Sequence, residues 1–177
     1  MRKIYVRLFS TLIIFWPSLI YFRERSYIAY DEGYYALQAR WILETNNWLG
    51  PQWWDQVVFD RTIGIQALIA ISQKIFGNSI FASHLPSLIS SSFILFATYK
   101  IHRKLLDNKY AWASPIILAS TFLWINYTHL ATQDIVLLGF ETMALLALVY
   151  RSKFNKRVVD WFIGVSIGLS VMMKTFM

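Results

Sequence analysis

Long apolar runs separated by short basic segments dominate the chain. An α-helix needs about 20 mostly apolar residues to cross a bilayer, and five runs approach or meet that length. The pattern therefore predicts an all-α, polytopic membrane bundle of about five transmembrane helices, with residues 1–177 forming part of one transmembrane domain. The predicted spans are Ile4–Phe22, Leu85–Ile101, Tyr110–Tyr127, Leu130–Tyr150 and Val158 to Met177.

The long loop between the first two spans, residues 23–83, has a different pattern. Over residues 32–45, Tyr34, Leu37 and Trp41 recur at helical spacing behind a possible N-cap, Asp31. Residues 62–77 are apolar but too short for a comfortable span, and they carry glutamines. We expect two amphipathic helices lying in the membrane interface. An ordinary short span over residues 62–77 is the alternative.

Basic residues predict which side each loop faces. Lys and Arg cluster in the N-terminal tail and in the loops Lys100–Lys109 and Arg151–Asp160. Short loops rich in Lys and Arg stay in the cytoplasm. All three basic segments share one side only if residues 62–77 do not cross. We therefore predict an integral protein of the plasma (inner) membrane with a cytoplasmic N-terminus and an extracytoplasmic 23–83 loop.

Composition removes several classes of chemistry. The 177 residues are 56% apolar, with a mean hydropathy of +0.43, a net charge of +7 and no cysteine. Disulfides and thiolate catalysis are thus excluded, and His84, His102 and His129 are too scattered for a HExxH-type metal motif. In a chain this apolar, a positive balance is typical of loops that face anionic lipid, so we expect no nucleic-acid partner.

Four motifs, taken in order, are specific. They are "DEGYYALQARWILETNNWLGPQ" from Asp31, "FDRTIGIQALIAISQKIFGNSIFASHLPSLI" from Phe59, "LATQDIVLL" from Leu130 and "GLSVMMKTF" from Gly168. Together they resemble the N-terminal portion of the GT-C membrane glycosyltransferases of the protein-mannosyltransferase and aminoarabinose-transferase type. That family has DE-x-x-Y-A, F-E-K-P-P, F-A-x-R-L-P-S, A-T-x-D-x-x-L and L-x-K-G patterns. This chain lacks both prolines of the second pattern and has Thr175 in place of the last glycine.

The resemblance implies an inverting transfer of a sugar from a polyprenyl-phosphate donor to a lipid, glycan or protein acceptor on the extracytoplasmic side. The resemblance implies three partners: that donor, membrane lipid and, because the chain ends inside an apolar segment, the remaining half of the enzyme. No cofactor is expected to be required. The carboxylates of Asp31, Glu32 and Asp134 would nevertheless suit a divalent cation such as Mg²⁺ or Mn²⁺.

Inverting transfer needs a carboxylate that takes the acceptor's proton and a positive charge that stabilises the departing phosphate. The resemblance points to Asp31 and Asp134 as catalytic residues. It points to Arg61 and Lys174 as ligands of the donor phosphate, with Glu32 in support. The topology predicts that Asp31, Arg61 and Asp134 meet at one level, on the outer rim of the bilayer.

Each of these residues also has a purely structural interpretation. Asp31 and Asp134 could cap helices, and Glu32 could complement a helix dipole. Arg61 and Lys174 could be basic side chains that extend towards the headgroups. At the level of the whole protein, the alternatives to an enzyme are an inactive fragment or non-catalytic membrane scaffold and, less favoured, a transporter.

Overall fold

The computed structural model describes residues 27–28, 31–50, 52–54, 56–58, 61–106 and 109–174. The predicted first span, Ile4–Phe22, lies outside these residues. The described part is almost entirely helical, with one two-stranded antiparallel hairpin in which Gln52 pairs with Val57. The elements in chain order are α1 (Glu32–Thr45), β1 (Gln52–Trp53), β2 (Gln56–Val57), α2 (Gly64–Phe76), α3 (Ile80–Leu105), α4 (Ala113–Ala119), α5 (Phe122–Thr128), α6 (Gln133–Tyr150), a 3-10 turn (Arg151–Lys153) and α7 (Lys156–Met173).

Two of the described helical segments, Ile80–Leu105 and Gln133–Lys153, are long and apolar enough to cross a membrane. They contain the predicted spans Leu85–Ile101 and most of Leu130–Tyr150. The total of five spans stays a prediction. At 1.5 Å per residue, both segments are longer than the roughly 30 Å hydrocarbon core of a bilayer.

The region expected to be one span, Tyr110–Tyr127, is divided into α4 and α5, of seven residues each. The division lies at Ser120 and Thr121. Thr121 has an extended backbone, and its Oγ1 accepts a hydrogen bond from the Trp124 N–H, which starts α5 afresh. A hydroxyl side chain that caps the next helix competes with continuation of the first one. Hydropathy alone does not register this break.

Helices α3, α6 and α7 form the long part of the bundle. Gly139 of α6 faces Ser90 of α3 so closely that a Cβ at residue 139 would lie 3.0 Å from the Ser90 Cβ. Small residues at a crossing allow two helices to approach without the hydrophobic drive available in water. Near the other end of α6, the Tyr150 hydroxyl donates to the Lys100 carbonyl of α3 at 3.2 Å.

Helices α1 and α2 close one end of this bundle. We name it the site end: α3 and α6 begin there and α7 finishes there. The opposite end, with the loops after α3 and α6, is named the basic end. A shared apolar core joins α1 and α2 to α6 and α7, formed by Tyr35, Ala39, Ile42, Ile65, Ile69, Ala70, Val136 and Met173.

Helix α2 begins and finishes at the site end. Its first residue, Gly64, lies against the last turn of α7, where a Cβ would clash with the Met172 carbonyl oxygen and with Met173 Cε. Near its last turn, Gln73 donates to Ser83 Oγ in the first turn of α3 at 3.0 Å. A helix whose two termini lie at the same end of a bundle lies across that end instead of passing along it.

Candidate active site

Asp31 stands at the N-cap position of α1, but its side chain makes no capping hydrogen bond. The carboxylate is therefore not used for the structural role that its position suggested. Burial raises the pKa of Asp31 above its ordinary value, and the positive charge of Arg61 is the strongest influence opposing that rise. A carboxylate with a raised pKa is a stronger base once it is ionised.

Arg61 lies just before α2, between two tyrosines of α1. Its guanidinium carbon is 4.9 Å from the ring centroid of Tyr34 and 5.1 Å from that of Tyr35. Arg61 Nη1 donates to the Tyr35 hydroxyl at 2.6 Å, and that hydroxyl donates to Gln133 Oε1 at 2.9 Å. This chain of contacts fixes the guanidinium relative to α1 and α6. Burial raises the pKa of Tyr35, and the charge and hydrogen bond of Arg61 oppose that rise.

Asp134 and Lys174 form an ion pair at the mouth of the site. Asp134 is in the first turn of α6, and Lys174 follows the last residue of α7. Lys174 Nζ lies 2.9 Å from Asp134 Oδ1, with the two side chains 46% and 37% exposed. Both groups can therefore be reached from solvent, and an incoming phosphate would compete with Asp134 for the ammonium group.

These side chains share one electrostatic environment although they are far apart in sequence. The charges of Arg61, Asp134 and Lys174 all act on the Asp31 carboxyl. The structure thus brings Asp31, Arg61 and Asp134 to the same end of the bundle; that this end lies at the outer rim of a bilayer stays a prediction. Two acids beside two cations can move a proton and stabilise an anion in the same place.

Glu32 lies behind this cluster and is fully buried. Its Oε2 accepts the Ile28 N–H at 2.9 Å, and its Oε1 accepts the Ala131 N–H at 2.9 Å. The same Oε1 is 2.8 Å from His84 Nε2. Glu32 therefore has a structural setting distinct from the open carboxylates of Asp31 and Asp134.

A divalent cation does not fit these residues well. Among the residues that the structure describes, no three Asp, Glu, His or Cys side chains are close enough together to hold a metal ion. Backbone N–H groups and His84 already contact both Glu32 oxygens, and Lys174 occupies one oxygen of Asp134. We therefore derive no chemical step through a cation.

Sequence reasoning missed three residues of the site: Tyr35, Gln133 and His84. Tyr35 falls on the tyrosine of the DE-x-x-Y pattern, and His84 falls where the F-A-x-R-L-P-S pattern has a basic residue. Those positions were the available signals. Gln133 carried no signal beyond its place beside Asp134.

Aromatic side chains border the site on the side of the hairpin. The Trp53 ring is 4.6 Å from that of Tyr34 and 5.9 Å from that of Trp41, and Trp54 is 74% exposed. Trp54 has a positive φ of 50°, which turns the chain between β1 and β2. Exposed indoles beside a membrane bundle are typical of the headgroup level.

An apolar groove of about 490 Å³ runs between α2, α3 and α6. Its walls include Leu68, Ile75, Leu85, Phe93 and Met143. Val136 also lines it, two residues beyond Asp134 along α6. One end of the groove therefore reaches the first turn of α6, at the site end of the bundle, although its lining includes none of the four charged residues.

Comparison with known proteins agrees with this arrangement. Over 152 residues, 83% of the chain, it is 26% identical to undecaprenyl phosphate-alpha-4-amino-4-deoxy-L-arabinose arabinosyl transferase 1 of Pseudomonas fluorescens (strain Pf0-1). It is 27% identical, again over 83% of its length, to the corresponding transferase 2 of Proteus mirabilis (strain HI4320). The chain covers 27% and 28% of these two relatives.

The fold is shared with a solved structure. ArnT from Cupriavidus metallidurans, crystallised with undecaprenyl phosphate, superposes with a TM-score of 0.84 at 16% identity. The match covers 98% of this chain and 33% of that protein. The expectation of a GT-C helical architecture is confirmed at this level.

A family model gives the assignment. The model described as dolichyl-phosphate-mannose-protein mannosyltransferase matches residues 60–177, which include Arg61, His84, Asp134 and Lys174. The chain belongs to the dolichyl-phosphate-mannose-protein mannosyltransferase family.

Proposed function

We propose that this chain forms the catalytic N-terminal part of a membrane glycosyltransferase. The enzyme transfers a sugar, with inversion, from a polyprenyl-phosphate donor to a lipid, glycan or protein acceptor at the extracytoplasmic face. The setting of the Asp31 carboxylate carries the proposal. This carboxylate makes no capping hydrogen bond, burial raises its pKa, and the positive charges of Arg61 and Lys174 act on it.

In the proposed reaction, Asp31 takes the proton of the acceptor group. The acceptor atom forms a bond to the anomeric carbon from the face opposite the phosphate. The bond between that carbon and the phosphate oxygen breaks, and the polyprenyl phosphate leaves with the electron pair. Arg61 and Lys174 stabilise the leaving phosphate, while Asp134 holds the Lys174 ammonium group until the donor arrives.

The apolar groove supports a lipid-linked donor. Its walls are almost entirely hydrocarbon side chains, and it reaches the first turn of α6 at the site end of the bundle. A donor whose tail occupies this groove would have its phosphate at the end of the bundle that holds the charged cluster. The names of the relatives and of the superposed structure mention undecaprenyl phosphate, which makes a bacterial polyprenol the donor lipid to test first.

The test is the variant Asp31→Asn in the complete enzyme of which this chain is a part, reconstituted in liposomes. A general base contributes about 100- to 10,000-fold to a rate, so sugar transfer should fall by that factor. Transfer of a labelled sugar from synthetic polyprenyl-phosphate donors is the measurement. Asn keeps the size of the side chain, so the amount of folded protein should not change.

The matched control is Asp160→Asn, which removes an exposed carboxylate at the basic end. It should transfer sugar at the wild-type rate. Wild-type transfer by Asp31→Asn would remove Asp31 from the mechanism. Absence of transfer by the wild type with every polyprenyl-phosphate donor would overturn the proposed function itself.

A further inference from the structure

A buried acid–imidazole pair joins three separate segments behind the site. Glu32 has no exposed surface, and the His84 side chain is 3% exposed. Through its two oxygens, Glu32 contacts the backbone before α1 at Ile28, the first turns of α3 at His84, and the backbone before α6 at Ala131. One carboxyl group thus connects the starts of α1, α3 and α6.

The hydrogen-bond partners limit where the protons lie. His84 Nδ1 is 2.7 Å from the Ile80 carbonyl oxygen, which can only accept, so Nδ1 carries a hydrogen. His84 Nε2 and Glu32 Oε1 then share one further proton. The pair has no net charge whether that proton lies on the imidazole or on the carboxyl group. Two backbone N–H groups donate to the same carboxyl, which favours its ionised form.

The imidazole is held in orientation from a second direction. The Tyr27 ring stacks on it at 5.9 Å between centroids and 5° between planes. The Tyr27 hydroxyl in turn lies 2.8 Å from Ser83 Oγ, beside His84 in the chain. The ring therefore has little freedom to turn its Nε2 away from Glu32.

The position of the pair gives it influence over both catalytic acids. Glu32 directly follows Asp31, and Ala131 precedes Asp134 by three residues in the same segment. The contact between Glu32 Oε1 and the Ala131 N–H is therefore a short mechanical link between the two acids. His84 fixes the same oxygen that makes this link.

We propose that His84 is a positioning residue: through Glu32 it sets the separation of Asp31 and Asp134. The expected effect on the reaction rate rests on the proposed function. The separation of the two acids does not, since it can be measured without a substrate. His84 is buried, and its ring nitrogens contact the Ile80 carbonyl oxygen and Glu32. Its loss should therefore slow the chemical step and leave donor binding in place.

The kinetic test uses His84→Phe, which keeps an aromatic ring against Tyr27 but removes both ring nitrogens that contact Ile80 and Glu32. Displacement of a reacting group by about 1 Å costs on the order of 100-fold in rate, so kcat should fall by about that factor with KM for the donor unchanged. His84→Gln, whose amide can donate to Glu32, should recover most of kcat. His102→Phe, at the far end of the same helix, is the matched control and should behave as wild type.

The structural test measures a distance. The chain has no cysteine, so spin labels can be placed at Arg40→Cys on α1 and Asn126→Cys on α5, both exposed positions. We expect one narrow distance distribution in the wild type and in His102→Phe, and a shifted or broadened one in His84→Phe. Wild-type kcat together with a wild-type distribution in His84→Phe would overturn the proposal.

A second variant and an inactive wild type have separate meanings. If His84→Phe does not fold, Glu32→Gln takes its place, because it disturbs the same contacts while keeping the volume of the side chain. A lower kcat and a broadened distance support the proposal, and wild-type values for both overturn it. A wild type that transfers no sugar defeats the proposed function, while the distance measurement still decides the role of His84.

Discussion

The two ends of the bundle both carry many charged side chains, but they use them differently. At the site end, partners come from distant parts of the sequence: Tyr35 and Gln133 are 98 residues apart, and Asp134 and Lys174 are 40 apart. At the basic end, Arg151 makes two 2.6 Å contacts with Asp160, nine residues away. That pair closes the local turn between α6 and α7.

Burial explains what each arrangement does. Arg151 and Asp160 are 39% and 50% exposed, so water screens the attraction between them, and an exposed pair of this kind adds little to stability. Glu32 and His84 are shielded from water, and removal of one partner from a buried pair costs about 3–5 kcal/mol. The site end is therefore built to hold a geometry, while the basic end keeps its charge in water.

Among substitutions that leave the Glu32–His84 pair intact, the largest loss of stability should come from Gly64→Ala, which forces the site end apart. The added methyl group would meet the Met172 carbonyl and Met173, so α2 and the end of α7 must separate. Overpacking of this kind costs about 1–3 kcal/mol. Thermal unfolding in detergent measures the loss, and sugar transfer should fall as well because Lys174 moves with the end of α7.

Gly164→Ala is the control for that experiment. Gly164 lies in α7, where an added Cβ would meet nothing within 4 Å. Replacement of a helical glycine by alanine should leave stability unchanged or raise it by about 0.5–1 kcal/mol. Equal unfolding temperatures for Gly64→Ala and the wild type would mean that the two elements are not closely packed there.

A smaller effect should appear in the pH dependence of transfer. Burial raises the pKa of Asp31, and the charge of Arg61 opposes that rise. In Arg61→Gln the opposing charge is gone, so the pKa of Asp31 rises further. Because the ionised carboxylate is the active form, the acidic limb of kcat/KM should move to higher pH.

Arg40→Gln serves as the control for the pH profile. Arg40 is an exposed cation of α1 that pairs with Glu44, away from the site. Its loss should leave the acidic limb where it is. An acidic limb that moves to lower pH in Arg61→Gln, or does not move, would contradict the assignment of that limb to Asp31.

Local signals were enough to place much of the helical structure. Helix α1 covers Glu32–Thr45, the range expected from its apolar spacing, and Asn46 follows it with a left-handed φ of 53°. The break between α4 and α5 was not foreseen, because hydropathy counts Ser120 and Thr121 as minor interruptions of an apolar run. The hairpin at Trp53 and Trp54 was also not foreseen, since two-residue strands leave almost no period in a sequence.

The site was predictable in its charges and not in its pairings. Asp31, Arg61, Asp134 and Lys174 were identified from motifs and from the side of the membrane that they should face. The contact of Glu32 with His84 spans 52 residues and depends on how α3 packs beside α1. No local period or spacing encodes such a contact, so a histidine that looked isolated in the sequence lies behind the charged cluster in the structure.

The smallest effect should come from the exposed pair at the basic end, and it sharpens the contrast between the two ends. In a double-mutant cycle of Arg151→Gln and Asp160→Asn, the coupling free energy of unfolding should be close to zero and should shrink with added salt. Sugar transfer should stay at the wild-type rate in all three variants, because neither side chain contacts the site end. A large coupling that persists at high salt, where an exposed pair is screened, would show that the basic end also holds a fixed geometry.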